Sequence, residues 1–209
     1  MRLIIIGLVI IILVLVSGGV YLWFIGGKAL ALPVTQTASP QVEIPPTYLP
    51  PPTYELGDIP VSTNDDTIAL TDYSRAVGAI MSAYGNKDAE NELALVIKAI
   101  EKTDAQAATK LAQASARHTD TALRLKQLIV PPTAVQVHLN LINSIIGLAE
   151  SSYIMAQINK EPMVALEASQ VYPDRLKNFF TAINNLNFFL LASRVILPEQ
   201  ERSIISLGL

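Results

Sequence analysis

The sequence predicts an all-α chain in three parts: an N-terminal transmembrane helix, a proline-rich stalk, and an up-and-down bundle of four to five helices. Three observations carry that expectation. Leu3 to Ile25 is an unbroken apolar run, and eight of the thirteen prolines fall between residues 29 and 62. From residue 63 onward, apolar side chains recur at spacings of three and four, without the alternation of a strand. The expected boundaries are therefore 1–28 for the anchor, 29–62 for the extended linker and 63–209 for the helical domain.

The leading run reaches roughly 35 Å as a helix, enough to cross the hydrocarbon core of a bilayer with some tilt. Ala29-Leu30-Ala31 offers the small-x-small pattern of a cleaved signal peptide, so cleavage after Ala31 is the alternative. The run is longer than a cleavable core, and Tyr21 and Trp23 stand where the interfacial aromatics of an anchor belong. The implied partner is the lipid bilayer, through residues 3–25. Arg2 precedes the run, and beyond Lys28 the next charges are the acids Glu43, Glu55 and Asp58. The expected orientation is a cytoplasmic N-terminus with the bulk of the chain extracytoplasmic, as a single-pass protein of the cell membrane.

The net charge is −3, 16% of residues are charged, and there is no cysteine. Disulfides and a lipid-modified cysteine are excluded, and the lack of a basic stripe argues against nucleic acid. Prolines 33, 40, 45, 46, 50, 51, 52 and 60 bias the stalk toward polyproline II, which at full extension holds a domain up to about 100 Å from its origin. Within it, Pro45-Pro46-Thr47-Tyr48 and Pro51-Pro52-Thr53-Tyr54 each resemble the Pro-Pro-x-Tyr ligand of WW domains. Pro45, Pro46, Tyr48, Pro51, Pro52 and Tyr54 are thus candidate interaction residues, although a plain spacer accounts for the same composition.

In the helical domain, Thr63-Asn64-Asp65-Asp66 supplies N-cap types ahead of a stripe of Ala69, Tyr73, Val77, Ile80 and Tyr84, and Gly85-Asn86 supplies a stop. A second helix from near Asp88 shows Leu93, Val96, Ile97 and Ile100. Thr103-Asp104 either re-caps a third helix or lies on the wet face of one long helix, and a break is the favoured reading. The stripe Ala107, Leu111, Ala114, His118, Ala122, Leu125 and Ile129 is rich in small residues that let a neighbour approach, so this helix belongs in the middle of the bundle. Pro131-Pro132 forces a corner. Residues 133–159 are then apolar on two adjacent faces: Val135, Leu139, Ile142, Ile146, Ala149 and Tyr153 on one, Leu141, Ile145 and Leu148 on the other. Pro162 opens a last element that Pro173 should break or kink. Phe179, Phe180, Ile183, Leu186, Phe189, Leu190 and Ile196 follow it.

Chemistry-bearing residues are few. His118 and His138 should be offset by roughly 9 Å along antiparallel helices, too far to share a tetrahedral metal, and both are read as buried, hydrogen-bonded imidazoles. Glu90, Glu92, Glu101 and Asp104 alternate with lysines in the pattern of a solvated helix face. Asn143 and Asn184 are candidates for buried amides that find a partner across two helices and lock their register. Ile204, Ile205 and Leu207 make the tail apolar, either as a cap on the bundle or as a docking segment.

No Gly-rich phosphate loop, Gly-x-Ser-x-Gly or His-Glu-x-x-His motif is present, so neither an enzyme nor a bound cofactor is expected. The expected function is a membrane-anchored extracytoplasmic interaction or scaffold domain with a protein partner, within a cell-envelope or secretion assembly. The alternatives are a ligand-binding sensory subunit of four-helix type and a membrane adaptor for WW-domain proteins.

Overall fold

The computed structural model describes residues 50, 52–85, 90–102 and 104–195. The anchor segment, most of the stalk and the apolar tail lie outside the described residues. Those described are all-helical, with five α-helices and no strand: α1 (Thr67–Tyr84), α2 (Glu92–Ile100), α3 (Ala107–Lys126), α4 (Val135–Met155) and α5 (Pro162–Ala192). None of these helices is long and apolar enough to cross a membrane.

Local chemistry explains most of the boundaries. Asp66 caps α1 by accepting from the Ala69 amide at 2.8 Å, and Asn91 caps α2 by accepting from Leu93 and Ala94. Between α2 and α3 the chain breaks: Lys102 sits in the left-handed region at φ 54°, a conformation that stops a helix. Lys110 fastens the break by reaching Glu90 and Asp104, each at 2.8 Å, and these partners raise its ammonium pKa to about 12. Pro132 opens a short 3-10 turn, Pro132–Ala134, that leads directly into α4.

Helix α4 is the centre of the bundle. Leu141, Ile142, Ile145, Ala149, Ser152 and Met155 are fully buried, and its main neighbours are α3 on one side and α5 on the other. Every apolar position expected on its two faces is buried. Ser115 Oγ donates to the Ala149 carbonyl at 2.8 Å to tie α3 to α4. Arg175 donates to the Gly147 carbonyl at 2.7 Å and pairs with Glu150, tying α5 to α4.

Four expectations are corrected. Pro173 does not break the last element: α5 runs unbroken across it, because Ala168 and Tyr172 before it and Phe179 and Ala182 after it are all buried on one side. That packing outweighs one missing hydrogen bond. The buried side of α2 is Glu92, Leu95 and Val96, whereas Ile97 and Ile100 are 56% and 51% exposed. A nine-residue helix packed on α3 and α5 takes its orientation from those neighbours, not from its own hydrophobic maximum. Ile129, beyond the end of α3, is exposed.

The fourth correction concerns the end of the stalk. From Tyr54 to Ser62 the chain is a strap seated on the helices. It contains a 3-10 turn, Leu56–Asp58, closed by the Glu55 amide donating to Asp58 Oδ2 at 2.8 Å. Ile59 enters the core. Val61 then forms a lone parallel bridge with buried Val130: Ser62 N–H donates to the Val130 carbonyl and Val130 N–H to the Pro60 carbonyl, both at 2.8 Å. Proline content marks this stretch as extended, but it turns at Leu56–Asp58, and where it is extended beyond Ile59 its backbone pairs with a neighbour.

Candidate functional site

Tyr73 and Tyr84 lie eleven residues apart on α1, which at 3.6 residues per turn returns to nearly the same face about 16 Å along the axis. Each points a hydroxyl at the Nδ1 of a different histidine. Tyr73 Oη is 3.0 Å from His138 Nδ1, and Tyr84 Oη is 2.7 Å from His118 Nδ1. The two imidazoles therefore occupy separate places in the bundle.

His138 has no exposed surface, and its Nε2 lies 3.1 Å from the carbonyl of Leu125 near the C-terminus of α3. A carbonyl only accepts, so Nε2 carries the hydrogen and Nδ1 accepts from Tyr73: this is the neutral tautomer, with both ring nitrogens satisfied. Burial pushes its pKa down to about 4, partly opposed by the Leu125 carbonyl, and burial pushes the Tyr73 phenol up. The rings meet edge to face, 5.5 Å between centroids. One histidine thus joins α1, α3 and α4.

The second cluster is built differently. His118 on α3 is buried, and its Nε2 faces the carboxylate of Glu92, the first residue of α2, at 3.4 Å. That contact is not an aligned hydrogen bond, since Nε2 has no partner of good geometry, nor has the buried Arg117 Nε. Arg117 Nη2 approaches the same Glu92 oxygen at 3.5 Å, and the Tyr172 hydroxyl of α5 is among the groups that favour the ionised carboxylate. Burial pushes the Glu92 carboxyl up. His118, its own backbone amide and Tyr172 more than offset this, so its pKa lies below the usual carboxylate value. Tyr84 and Tyr172 are both raised, by burial first and by the Glu92 charge second. The Tyr84 ring stands edge-on to Phe179 of α5 at 5.7 Å.

This phenol–imidazole–carboxylate chain links α1, α2, α3 and α5. The charged neighbours of Glu92 predict a solvated face, and the structure corrects that: Glu92 is buried. The signal was in the spacing: Glu92, Leu95 and Val96 stand at i, i+3 and i+4, one side of a helix. Among the described residues no three metal-binding side chains converge.

Asn143 is half-buried and joins α4 to the strap, not to a second helix: its Oδ1 and Nδ2 bind both backbone groups of Tyr54. Asn184 is exposed on α5, so it locks nothing; its position faces away from the buried side set by Ile183 and Leu186. Tyr54 is half-buried with Lys126 Nζ 4.2 Å from its ring centroid, and Pro52 is exposed. Pro45, Pro46, Tyr48, Pro51, Ile204, Ile205 and Leu207 lie outside the described residues. No protein-family model, no curated protein and no solved structure matches this chain.

Proposed function

We propose that this chain is a membrane-anchored, extracytoplasmic interaction or scaffold domain, a part of a cell-envelope or secretion assembly. The observation that carries the reading is the order of its parts: an apolar run from Leu3 to Ile25, a proline-rich stretch, and then a bundle. Two features of the bundle support it. The strap is fastened by Asn143 and Val130, so a pull or push arriving through the stalk reaches α4 and the α3–α4 corner directly. The buried histidines are engaged with tyrosines that join helices, while large apolar side chains stand exposed along α5.

The WW-adaptor alternative is weakened by Tyr54, whose backbone is held by Asn143 and whose ring is covered by Lys126; a WW groove would have to strip both away. The test is protease accessibility in intact cells combined with membrane extraction. The bundle should be digested from outside and should leave the membrane only with detergent. Protection from external protease overturns the orientation, and release by salt or alkali overturns the tether.

A further inference from the structure

Helix α5 buries one side and leaves another side exposed, with no partner among the described residues. Met163, Leu166, Phe180, Phe188 and Leu191 are 68%, 38%, 47%, 78% and 73% exposed. At 3.6 residues per turn these five positions fall within an arc of about 100°, as one stripe about 42 Å long. It is not the scatter of single apolar residues that any surface shows. Five such side chains offer on the order of 600 Å², the upper end for the largest apolar patch of a monomer. The stems of Gln170, Pro173, Lys177 and Asn184, exposed on the same arc, bring it close to the roughly 800 Å² per partner of a standard interface.

The order of residues along the stripe names the occupant. Lys177 is its midpoint. Met163 and Leu191 stand fourteen residues to either side, Leu166 and Phe188 eleven, and the amides Gln170 and Asn184 seven. Reversing the helix about Lys177 therefore lays Met163 on Leu191, Leu166 on Phe188 and Gln170 on Asn184, while Phe180 falls opposite Asp174 beside the centre. The spacings of three and four match the seam of a helix pair. At the centre two lysines would meet, but Asp174 lies three residues away on the same flank, so each Lys177 reaches the Asp174 of the opposite helix in two symmetric ion pairs. An arrangement that reads the same in both directions is what a two-fold axis requires of an isologous interface.

We propose that α5 is a self-association surface, and that its occupant is α5 of a second copy of this chain, packed antiparallel with the two-fold axis at Lys177. Self-association does not depend on the membrane tether and can fail or hold without it.

The absence of cysteine makes the test direct. Single cysteine variants of the full chain, in detergent or in lipid nanodiscs, are oxidised and resolved on non-reducing gels. Lys177→Cys should crosslink to itself at least tenfold more than Val171→Cys, which is exposed on α5 but off the stripe. Leu166→Cys mixed with Phe188→Cys should crosslink more than either alone. Phe188→Asp, at a side chain too exposed to matter for folding, should give a monomeric mass by light scattering with an unchanged melting curve. Equal crosslinking of Lys177→Cys and Val171→Cys overturns the proposal. So does stronger self-crosslinking by Phe188→Cys than by the mixture, which would mean parallel packing. A dimer surviving Phe188→Asp overturns it. A one-copy mass for the unaltered chain overturns it as well, and leaves the stripe to lipid, to another protein or to the tail 196–209.

Discussion

Asn143 holds both backbone polar groups of Tyr54 at once: its Oδ1 accepts from the Tyr54 amide at 2.8 Å and its Nδ2 donates to the Tyr54 carbonyl at 2.9 Å. A side-chain amide is the one neutral group that carries a donor and an acceptor side by side, so it replaces a strand neighbour for a single residue. This is where the chain leaving the proline-rich stretch is fastened to the central helix.

Asn143→Ala removes two hydrogen bonds and leaves Tyr54 paired only with solvent. The expected loss is about 1–2 kcal/mol, a drop in Tm of about 2–8 °C. Amide exchange at Tyr54 should rise more than in the core of α4. Unchanged exchange at Tyr54 would mean that the Val130 pairing alone holds the strap.

His138 gives the fold an acid limit. In the folded protein it titrates near 4, against 6.5 for an unburied imidazole. Above pH 6.5 both states are neutral there and nothing is lost. Between 6.5 and 4 the unfolded chain takes up a proton that the folded chain refuses, so stability falls as the pH falls, by up to about 3 kcal/mol. Urea unfolding at pH 7, 5.5 and 4.5 should show this decline, and His138→Gln should remove the part that lies above pH 4.5.

Glu92 acts in the opposite sense and lower on the scale. Its folded pKa is depressed, so its ionised form contributes stability above the unfolded value of 4.5, and this is lost as the pH drops through the folded value. Glu92→Gln takes the charge away from His118 and Arg117, and a cost of about 1–3 kcal/mol is expected at pH 7. Below the folded pKa the variant and the parent should converge, and a constant gap across pH would show that the charge is not what matters.

Gly147 lies inside α4, where glycine is the weaker helix former. A methyl group there would meet Arg175 Nη1 at 3.5 Å and its Cδ at 3.6 Å, ordinary contacts with a side chain that can adjust. Gly147→Ala should therefore raise stability by about 0.5–1 kcal/mol, read from urea midpoints at unchanged m-value. A loss instead would mean that the Arg175 hydrogen bond to the Gly147 carbonyl tolerates no shift.

Much of the bundle can be read from periodicity. The α3 and α4 stripes contain enough apolar positions at helical spacing that no other packing buries them, and of the positions assigned to them only Ile129 came out exposed. The caps at Asp66 and Asn91 are local events, decided by side chains within three residues of the amides they serve. Pro173 shows the limit of local rules, since its cost is set against burial on a helix that the rule does not see.

The candidate site was half legible. Both histidines read as buried imidazoles, but the tyrosine partners were visible only as core positions on α1, because an aromatic ring and a phenol hydroxyl give the same hydrophobic spacing. Glu92 was hidden by its charged neighbours along the chain, of which only Lys98 lies on α2 itself; Glu90, Glu101, Lys102 and Asp104 lie outside it.

By itself the sequence determined that the described residues after 66 are helical between their turns, where their corners fall, and which helix is most apolar, because these depend on residues within a few positions of one another. Only the tertiary structure decided that Tyr73 and Tyr84 each hold a histidine, that Asn143 grips Tyr54 across 89 positions, and which side of α2 and α5 is left to solvent. The physical reason is that hydrogen-bond partners and buried faces are settled by neighbours in space, and a short helix with polar and apolar residues on every side rotates to suit them.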